Sequence, residues 1–425
     1  MLFNCRFYYP VFTVLFLDLG LSLSEFAGLN VLWAATIVLC EVPSGALADW
    51  LGRRRLVVAA SWLMLGEMLT LCLMQPGHHD AVLALFVVNR ILSGLAEAAA
   101  SGADEALAYD SFPAEDRARR WPEVMARLTR WSSIGFIIAA VSGGFLYDAQ
   151  AVGELFMRLG LSPWPKAWTM KIPLLLNLLT ALGCVLVTRR MVEDPLGAAV
   201  DSAAGMRAQI RHTLDRMKQA ARWIWHSGAA LPLLAVGVVL DSVIRLFLTV
   251  SSNYYRLVGV EERWFGLISV AASLMGLAAV GLMQRMTRRH GARFNFSWLA
   301  LIVLLGLLAV ASGTTGWLGV ALGMPLILAM RFLQFFLSHY LNEVVDSERR
   351  ATVLSFRGLA MNLAYGGMTL LFALQTRMLR ERLGAEEGAP EVFAAALRWW
   401  PGGYVLLLVV TLGLLALRRR RRSVA

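Results

Sequence analysis

The chain has 425 residues, 58% of them hydrophobic and only 16% charged, with a mean hydropathy of +0.61. No soluble domain of this size is so apolar, which excludes a water-soluble enzyme or binding module. A net charge of +11 invites a nucleic-acid partner, but the way that charge is distributed excludes one.

Twelve apolar segments are expected to cross a bilayer, at about 7–24, 29–48, 56–75, 82–110, 130–147, 172–191, 231–253, 264–284, 294–313, 317–340, 351–375 and 400–417. If the N-terminus is cytoplasmic, the inner segments hold 28 of the 40 Lys and Arg and the outer segments hold nine. That bias is the positive-inside rule, so both termini are expected in the cytoplasm and the basicity is topological. Arg6 is counted among the inner cations. The first apolar segment lacks a small-residue cleavage site and should remain as span 1. Cys5, Cys40, Cys72 and Cys184 sit in or beside spans, show no pairing or metal-ligand spacing, and are read as small buried apolar residues.

Span 1 is apolar except for Asp18, within the hydrocarbon region or just inside its outer edge. An ionisable group there is a functional candidate; the alternative is a solvated group at the outer leaflet. Glu25 is expected to be solvated. Glu41 in span 2 and Glu67 in span 3 are lone carboxylates, each expected to make a structural hydrogen bond to a neighbouring helix.

Between spans 2 and 3 runs Glu41 to Arg55, with Gly45, Asp49, Gly52, Arg53 and Arg54. Small residues there allow two helices to approach closely, and the arginines can pair with acidic groups at the end of a neighbouring span. Glu105 and Asp110 are the expected partners.

Span 4 carries Arg90, Gly94, Glu97, Ser101 and Asp104 at intervals of 4, 3, 4 and 3. One polar stripe on an apolar helix faces a partner helix or a water-filled cavity. Arg90 and Glu97 lie about 10 Å apart along the axis at 1.5 Å per residue, so they need a third group between them. Span 5 carries Gly135 and Gly143-Gly144.

After span 6, Ile210, Leu214, Met217, Ala221 and Trp225 recur at helical spacing opposite Arg207, Arg211, Arg216 and Arg222. A basic amphipathic helix on the inner membrane surface is expected within a linker at 193–228, between an N-terminal bundle at 1–192 and a C-terminal bundle at 229–425. A cytosolic partner helix is the other reading.

Asp241 and Arg245 in span 7 are four apart and can pair. Span 10 has a polar stripe of Arg331, Gln334, Ser338 and Asn342 with His339 beside it, either a satisfied core histidine or a proton relay. Span 11 begins after the N-cap candidate Asp346 and carries Arg357 and Gly358.

The halves repeat. Gly135 and Gly143-Gly144 recur as Gly358 and Gly366-Gly367, Arg90 as Arg331, and Gly28-Leu29 as Gly266-Leu267. A second copy of the span 2–3 loop, at 281–289, has lost its aspartate and second glycine.

Gly45-x-x-x-Asp49-x-x-Gly52-Arg53-Arg54 resembles the signature loop between helices 2 and 3 of the major facilitator superfamily of secondary transporters. Arg90-Ile-Leu-Ser-Gly94 resembles its helix 4 motif, in which the arginine is associated with proton coupling; Ala96 replaces a usual glycine. The span 5 export element is degraded, with Ala139-Ala140 where Gly-Pro would stand.

The resemblance implies twelve helices in two pseudo-symmetric six-helix bundles that rock about a central site. That site is lined by spans 1, 4, 7 and 10, which hold Asp18, Arg90, Glu97, Asp241, Arg245, Arg331 and His339. Asp18 or Glu97 would bind a proton and weaken its attraction to Arg90. Asp49, Arg53 and Arg54 would latch the cytoplasmic side.

The chain is therefore expected to move a small molecule across the cytoplasmic membrane by alternating access, by proton-coupled efflux of a drug-like or metabolite-like compound, working as an antiporter. It should act as a monomer among lipids, with no cofactor, metal or nucleic acid. No Gly-x-x-x-x-Gly-Lys-Ser/Thr is present, so nucleotide hydrolysis is not the expected energy source. The alternatives are proton-coupled import of an anionic solute, and a polytopic membrane enzyme using His78-His79-Asp80. That triplet's spacing does not match His-His-x-x-x-Asp acyl-transfer chemistry.

Overall fold

The computed structural model describes residues 2–101, 103–112, 114–192, 206–386 and 388–424, and every regular element among them is helical. The described chain forms two units. The first comprises Met1–Leu21, Leu32–Asp215 and Glu261–Val270, the second Ser22–Val31, Arg216–Val260 and Ala271–Ala425.

In the first unit, helical turns at Leu2–Asn4 and Tyr9–Val11 precede α1 (Phe12–Asp18), most of α2 (Leu23–Leu51) and α3 (Arg53–Leu73). There follow α4 (His79–Ala100), α5 (Ala103–Asp110), α6 (Ala114–Tyr147), α7 (Ala149–Arg158), α8 (Lys166–Thr169) and α9 (Ile172–Arg189). The start of α10 (Met206–His226), the turn Glu262–Trp264 and the start of α12 (Phe265–Ala278) complete it. The second unit holds the rest of α10 and α12, with α11 (Ala230–Leu257), α13 (Val280–Arg289), α14 (Ala292–Ala311), α15 (Gly316–Val344), α16 (Ser347–Leu383) and α17 (Pro390–Val424).

Among the described residues, ten helical stretches are long and apolar enough to cross a membrane, at the places expected for spans 2 to 10 and 12. Span 11 is present as α16, 37 residues long, but Arg357, Asn362 and Gln375 interrupt its apolar run.

Span 1 departs from a continuous helix. Its apolar part is the short stretch Tyr9–Asp18, and residues 5–8 run outside any helix before it. The freed backbone is satisfied from α9. Asn177 Oδ1 accepts from the Phe7 amide at 2.6 Å, and its Nδ2 donates to the Cys5 carbonyl at 3.5 Å. Irregular backbone at membrane depth persists only with such partners. Pro10 has no amide to give to a helix here. Gly143 on α6 makes the approach possible, because a Cβ there would lie 1.8 Å from the Phe7 carbonyl oxygen.

The expected loop between spans 2 and 3 is almost all helix. α2 continues through Pro43 and Gly45 to Leu51, and α3 starts at Arg53, so the turn is Gly52 alone. Gly52 has φ +92°, a region that L side chains rarely adopt. Beneath it, Leu56, Val57 and Ala60 of α3 pack with Ala99, Ala103 and Leu107. The alanines let the helices close up, which in lipid is where packing energy comes from.

The fourth span, expected to run unbroken to residue 110, ends at Ala100; Ser101 leaves helical geometry and α5 begins at Ala103. Two short helices between α6 and α9, α7 and α8, have no counterpart in the sequence reading. Asp148 caps α7 by accepting from the Gln150 and Ala151 amides at 2.9 and 3.0 Å. Met157, Trp164 and Trp168 remain exposed nearby, as side chains do that lie at a lipid interface.

The expected surface helix is α10; residues 193–205 of the linker lie outside the described residues. Met217, Ala220 and Ile224 are buried, whereas Leu214 and Trp225 are exposed. Arg418 of α17 stacks on the Trp225 ring at 3.9 Å and donates to its carbonyl.

Candidate functional site

Two polar clusters are built into the helices, one in each unit. The first centres on Glu67 of α3, which is wholly buried. Arg6, from the break before α1, donates its Nη1 to Glu67 Oε2 at 3.1 Å, and Tyr8 donates its hydroxyl to Oε1 at 3.4 Å. Arg90 of α4 brings its Nη2 to 3.9 Å from Oε1.

Arg90 is held chiefly by its own neighbour. Its Nε and Nη2 donate to Asn89 Oδ1 at 3.0 and 2.7 Å, while Asn89 Nδ2 donates to the Glu67 carbonyl at 2.9 Å and Thr70 Oγ1 at 3.1 Å. Phe12 and Phe16 lie 5.5 and 5.3 Å from the Arg90 guanidinium, and Phe3 and Tyr9 flank Arg6 at 5.3 and 5.8 Å. Aromatic faces take over part of the stabilisation that water gives a cation.

This corrects two expectations. Arg6 is buried, not an inner-surface cation, because a carboxylate sealed in α3 attracts it more strongly than the headgroup layer does. The third group that Arg90 was expected to need is Glu67, and Glu67 carries an ion pair where a simple hydrogen bond was expected. Glu97, one face further along α4, is exposed, and Arg6, Glu67 and Asp104 act on it electrostatically. Gly94 lets α4 reach α2: a Cβ there would sit 2.8 Å from Thr36 Cβ.

Glu41 was also expected to be hydrogen-bonded. Its Oε2 is buried and has no hydrogen-bond partner among the described residues.

Asp18 is drawn away from this cluster. Tyr147 donates its hydroxyl to Asp18 Oδ2 at 2.6 Å, and Lys166 Nζ lies 3.7 Å from the same oxygen. Lys166 also reaches Glu262 Oε2 at 2.6 Å, and its ammonium lies 4.0 Å from the Tyr147 ring centre. Nearby, the Arg263 amide donates to Asp148 Oδ2 at 3.1 Å and its side chain reaches Glu154 at 3.3 Å. Here Gly266 is pressed on α6, where a Cβ would meet the Ala140 carbonyl oxygen at 1.9 Å.

In the second unit Arg245 Nη2 lies 2.7 Å from Asp241 Oδ2, as the four-residue spacing predicts, and Nη1 donates to Asn362 Oδ1 at 2.9 Å. The Tyr365 ring lies 5.4 Å from the Arg245 guanidinium, and its hydroxyl shares a 2.9 Å hydrogen bond with Thr249. Arg357 of α16 is close enough to act electrostatically on Asp241.

The span 10 stripe is a real face: Arg331, Gln334, Ser338 and Asn342 are all exposed on α15. The Arg331 stem packs against Gly276, and His339 Nε2 lies 3.2 Å from Glu343 Oε1. Arg331 and Arg90 thus occupy different surroundings despite matching in the repeat. Similarly, Gly367 and Gly28 would meet nothing within 4 Å of an added Cβ, unlike Gly143 and Gly266.

At the loop after α2, Gly45 is exposed and Gly52 forms the turn. Arg54 is bonded to backbone carbonyls at the end of α9 and just beyond it. Its Nη2 donates to the Arg189 carbonyl at 3.0 Å and its Nε to the Met191 carbonyl, at the C-terminus of α9 where a cation is favoured. Arg53 starts α3. The side chains of Asp49, Glu105 and Asp110 lie outside the described residues.

The residues that the sequence reading missed are Arg6, Tyr8, Glu67 and Asn89 in one cluster and Arg357, Asn362 and Tyr365 in the other. A signal was present for Glu67, since Arg90 needed a counter-ion and span 3 held a carboxylate.

The family model of the Major Facilitator Superfamily matches residues 1–369. No curated protein sequence matches the chain. Among solved structures, the chain is similar to the nucleoside transporter NupG, with a TM-score of 0.67, 12% identity, and coverage of 97% of this chain and 96% of that one. It is also similar to a bacterial homolog of the human lysosomal transporter Spinster in an inward-facing and unoccupied conformation, at TM-score 0.65, 16% identity and coverage of 99% and 94%. For the xylose transporter XylE from E. coli, partially occluded and inward open, the values are 0.58, 15%, 96% and 94%. At these identities the likeness is one of fold. With the family model spanning most of its length, and transporters as its structural neighbours, this multi-pass membrane chain is a transporter and belongs to the major facilitator superfamily.

Proposed function

We propose that the chain is a proton-coupled carrier of a small molecule, acting by alternating access in the cytoplasmic membrane with both termini inside. The observation that carries this reading is the contrast between Glu67 and Glu97. Glu67 is sealed and fixed between Arg6 and Arg90, so it serves as their permanent counter-ion. Glu97 is exposed on the same helix as Arg90 and within the field of Arg6 and Glu67. A coupling carboxylate needs both water access and a charge environment that changes its proton affinity. On the ground of its exposure and of the charges that act on it, Glu97 is assigned the proton-binding role that the sequence divided between Asp18 and Glu97. Asp18, with Tyr147 and Lys166, serves as an outer tether. Arg54 anchors the turn at Gly52 onto α9, and we propose that Asp49, Arg53 and Arg54 latch the cytoplasmic side when the carrier faces outward.

Export is the direction proposed, and Glu97 would be loaded from outside as substrate leaves. Proton-gradient-driven flux in proteoliposomes tests the coupling; flux by Glu97→Gln with unchanged dependence on the gradient would remove Glu97 from it. A second reading, import of an anionic solute by symport, is favoured by the two guanidiniums that share a single buried carboxylate in each unit. An enzyme would turn over substrate in detergent without any gradient.

A further inference from the structure

A recess of about 380 Å³ opens near the start of α6, within the size range of small-molecule sites. It is lined by Phe112, Arg119, Arg120, Glu123, Val124 and Arg127. Its aromatic wall is fixed: the Phe112 amide donates to the Tyr109 carbonyl at 3.4 Å, and the Tyr109 ring meets Trp121 edge-on at 5.2 Å. Asp116 steadies two of the cations, its Oδ1 accepting from Arg119 Nη2 at 2.9 Å and its Oδ2 lying 3.3 Å from Arg120 Nε. Each contact uses one nitrogen of a guanidinium that carries five N–H donors. Arg127 has no ion-pair partner among the described residues. Glu123 offers an acceptor to a hydroxyl.

The helix beyond the recess shows what kind of ligand fits. Arg120, Val124, Arg127, Trp131, Ile134 and Ile138 recur at intervals of 4, 3, 4, 3 and 4, so they share one face. Past Arg127 that face is apolar and open, with Trp131, Ile134 and Ile138 55%, 40% and 58% exposed. α6 ends at Tyr147, close to the exposed Trp164 and Trp168, and about 20 residues cross the hydrocarbon core. Counting that length back from Tyr147 brings the far edge of the core to Leu128, which leaves the recess in the headgroup layer. Trp131 then lies where interfacial aromatics gather. From Arg127 to Ile138 the helix rises about 16 Å, roughly half the hydrocarbon thickness and so the depth of one acyl chain.

We propose that this recess binds the headgroup of an anionic phospholipid, with its phosphodiester among Arg119, Arg120 and Arg127 and an acyl chain along Trp131, Ile134 and Ile138. Guanidiniums match pairs of phosphate oxygens, and basic recesses at the end of a span recognise such headgroups. The inference goes beyond the transport reading, since binding needs neither a substrate nor a proton gradient.

The test uses the purified full chain in detergent with dioleoyl phosphatidylglycerol, dioleoyl phosphatidylcholine, or glycerophosphoglycerol, the headgroup without chains. Phosphatidylglycerol should raise Tm by several degrees and stay bound in native mass spectra; the other two should do neither. The triple change Arg119→Gln, Arg120→Gln and Arg127→Gln should lose most of that shift. Arg419→Gln with Arg420→Gln, at the basic end of α17, should keep it. Arg127→Gln alone should weaken retention of the lipid and leave the lipid-free Tm unchanged, which separates lost binding from lost folding. An equal shift with phosphatidylcholine, or an undiminished one in the triple variant, would overturn the proposal. Equal action by glycerophosphoglycerol would overturn it in favour of a soluble phosphodiester. An equal loss in the α17 variant would overturn it in favour of general attraction to a basic surface.

Discussion

Arg6 and Glu67 meet at 3.1 Å with side chains only 5% and 1% exposed, although one lies before the first helix and the other in the middle of α3. The pair fixes the broken start of the chain onto the bundle. Glu67→Gln removes the carboxylate that, among the described residues, pairs with both Arg6 and Arg90, and leaves two buried guanidiniums. Loss of one partner from a buried pair costs about 3–5 kcal/mol. The measurement is Tm in detergent, and the double change Arg6→Met with Glu67→Leu is expected to be milder than Glu67→Gln alone.

Asp18→Asn should act differently. Its partner Lys166 is one third exposed, and a pair of that kind contributes about 0–1 kcal/mol. Stability is expected to change little, and the dependence of flux on the proton gradient should survive. Parallel flux assays of Asp18→Asn and Glu97→Gln test the tether role proposed for Asp18 against the coupling role proposed for Glu97.

Gly143→Ala puts a methyl group 1.8 Å from the Phe7 carbonyl oxygen, and Gly266→Ala puts one 1.9 Å from that of Ala140. Backbone cannot yield as a side-chain tip can, so each should cost at least about 1–3 kcal/mol. The matching control is Gly367→Ala, which meets nothing within 4 Å and should be close to neutral. Thermal unfolding of the three variants checks the ranking.

Gly52→Ala forces φ +92° on a side chain that resists it, at about 1–3 kcal/mol. Arg54→Gln keeps the backbone and loses donors to the end of α9. Gly52→Ala should therefore lower Tm more than Arg54→Gln does.

Much of the fold was legible because lipid leaves few choices. Apolar runs of about 20 residues located the ten long spans, and the Asp241–Arg245 spacing gave its ion pair directly. The break in span 1 was not legible, because its cause is Asn177, some 170 residues away in sequence, together with the missing side chain of Gly143. The Glu41–Arg55 stretch looked like a turn because of its glycines and charges. A helix tolerates Pro43 and Gly45, and only Gly52 needs a conformation that a helix cannot give. For the site, residue spacing exposed the stripe on one helix but not the partner on another. Glu67 belongs to α3 and reaches Arg90 only through packing, so the sequence named Arg90 and mistook its counter-ion.

The most direct test of proton coupling through Glu97 is substrate flux in proteoliposomes under an imposed proton gradient, comparing the unaltered chain, Glu97→Asp and Glu97→Gln. Gradient-driven flux should be present in the first, reduced but still pH-dependent in the second, and reduced to gradient-independent exchange in the third. Undiminished gradient-driven flux in Glu97→Gln would contradict the account.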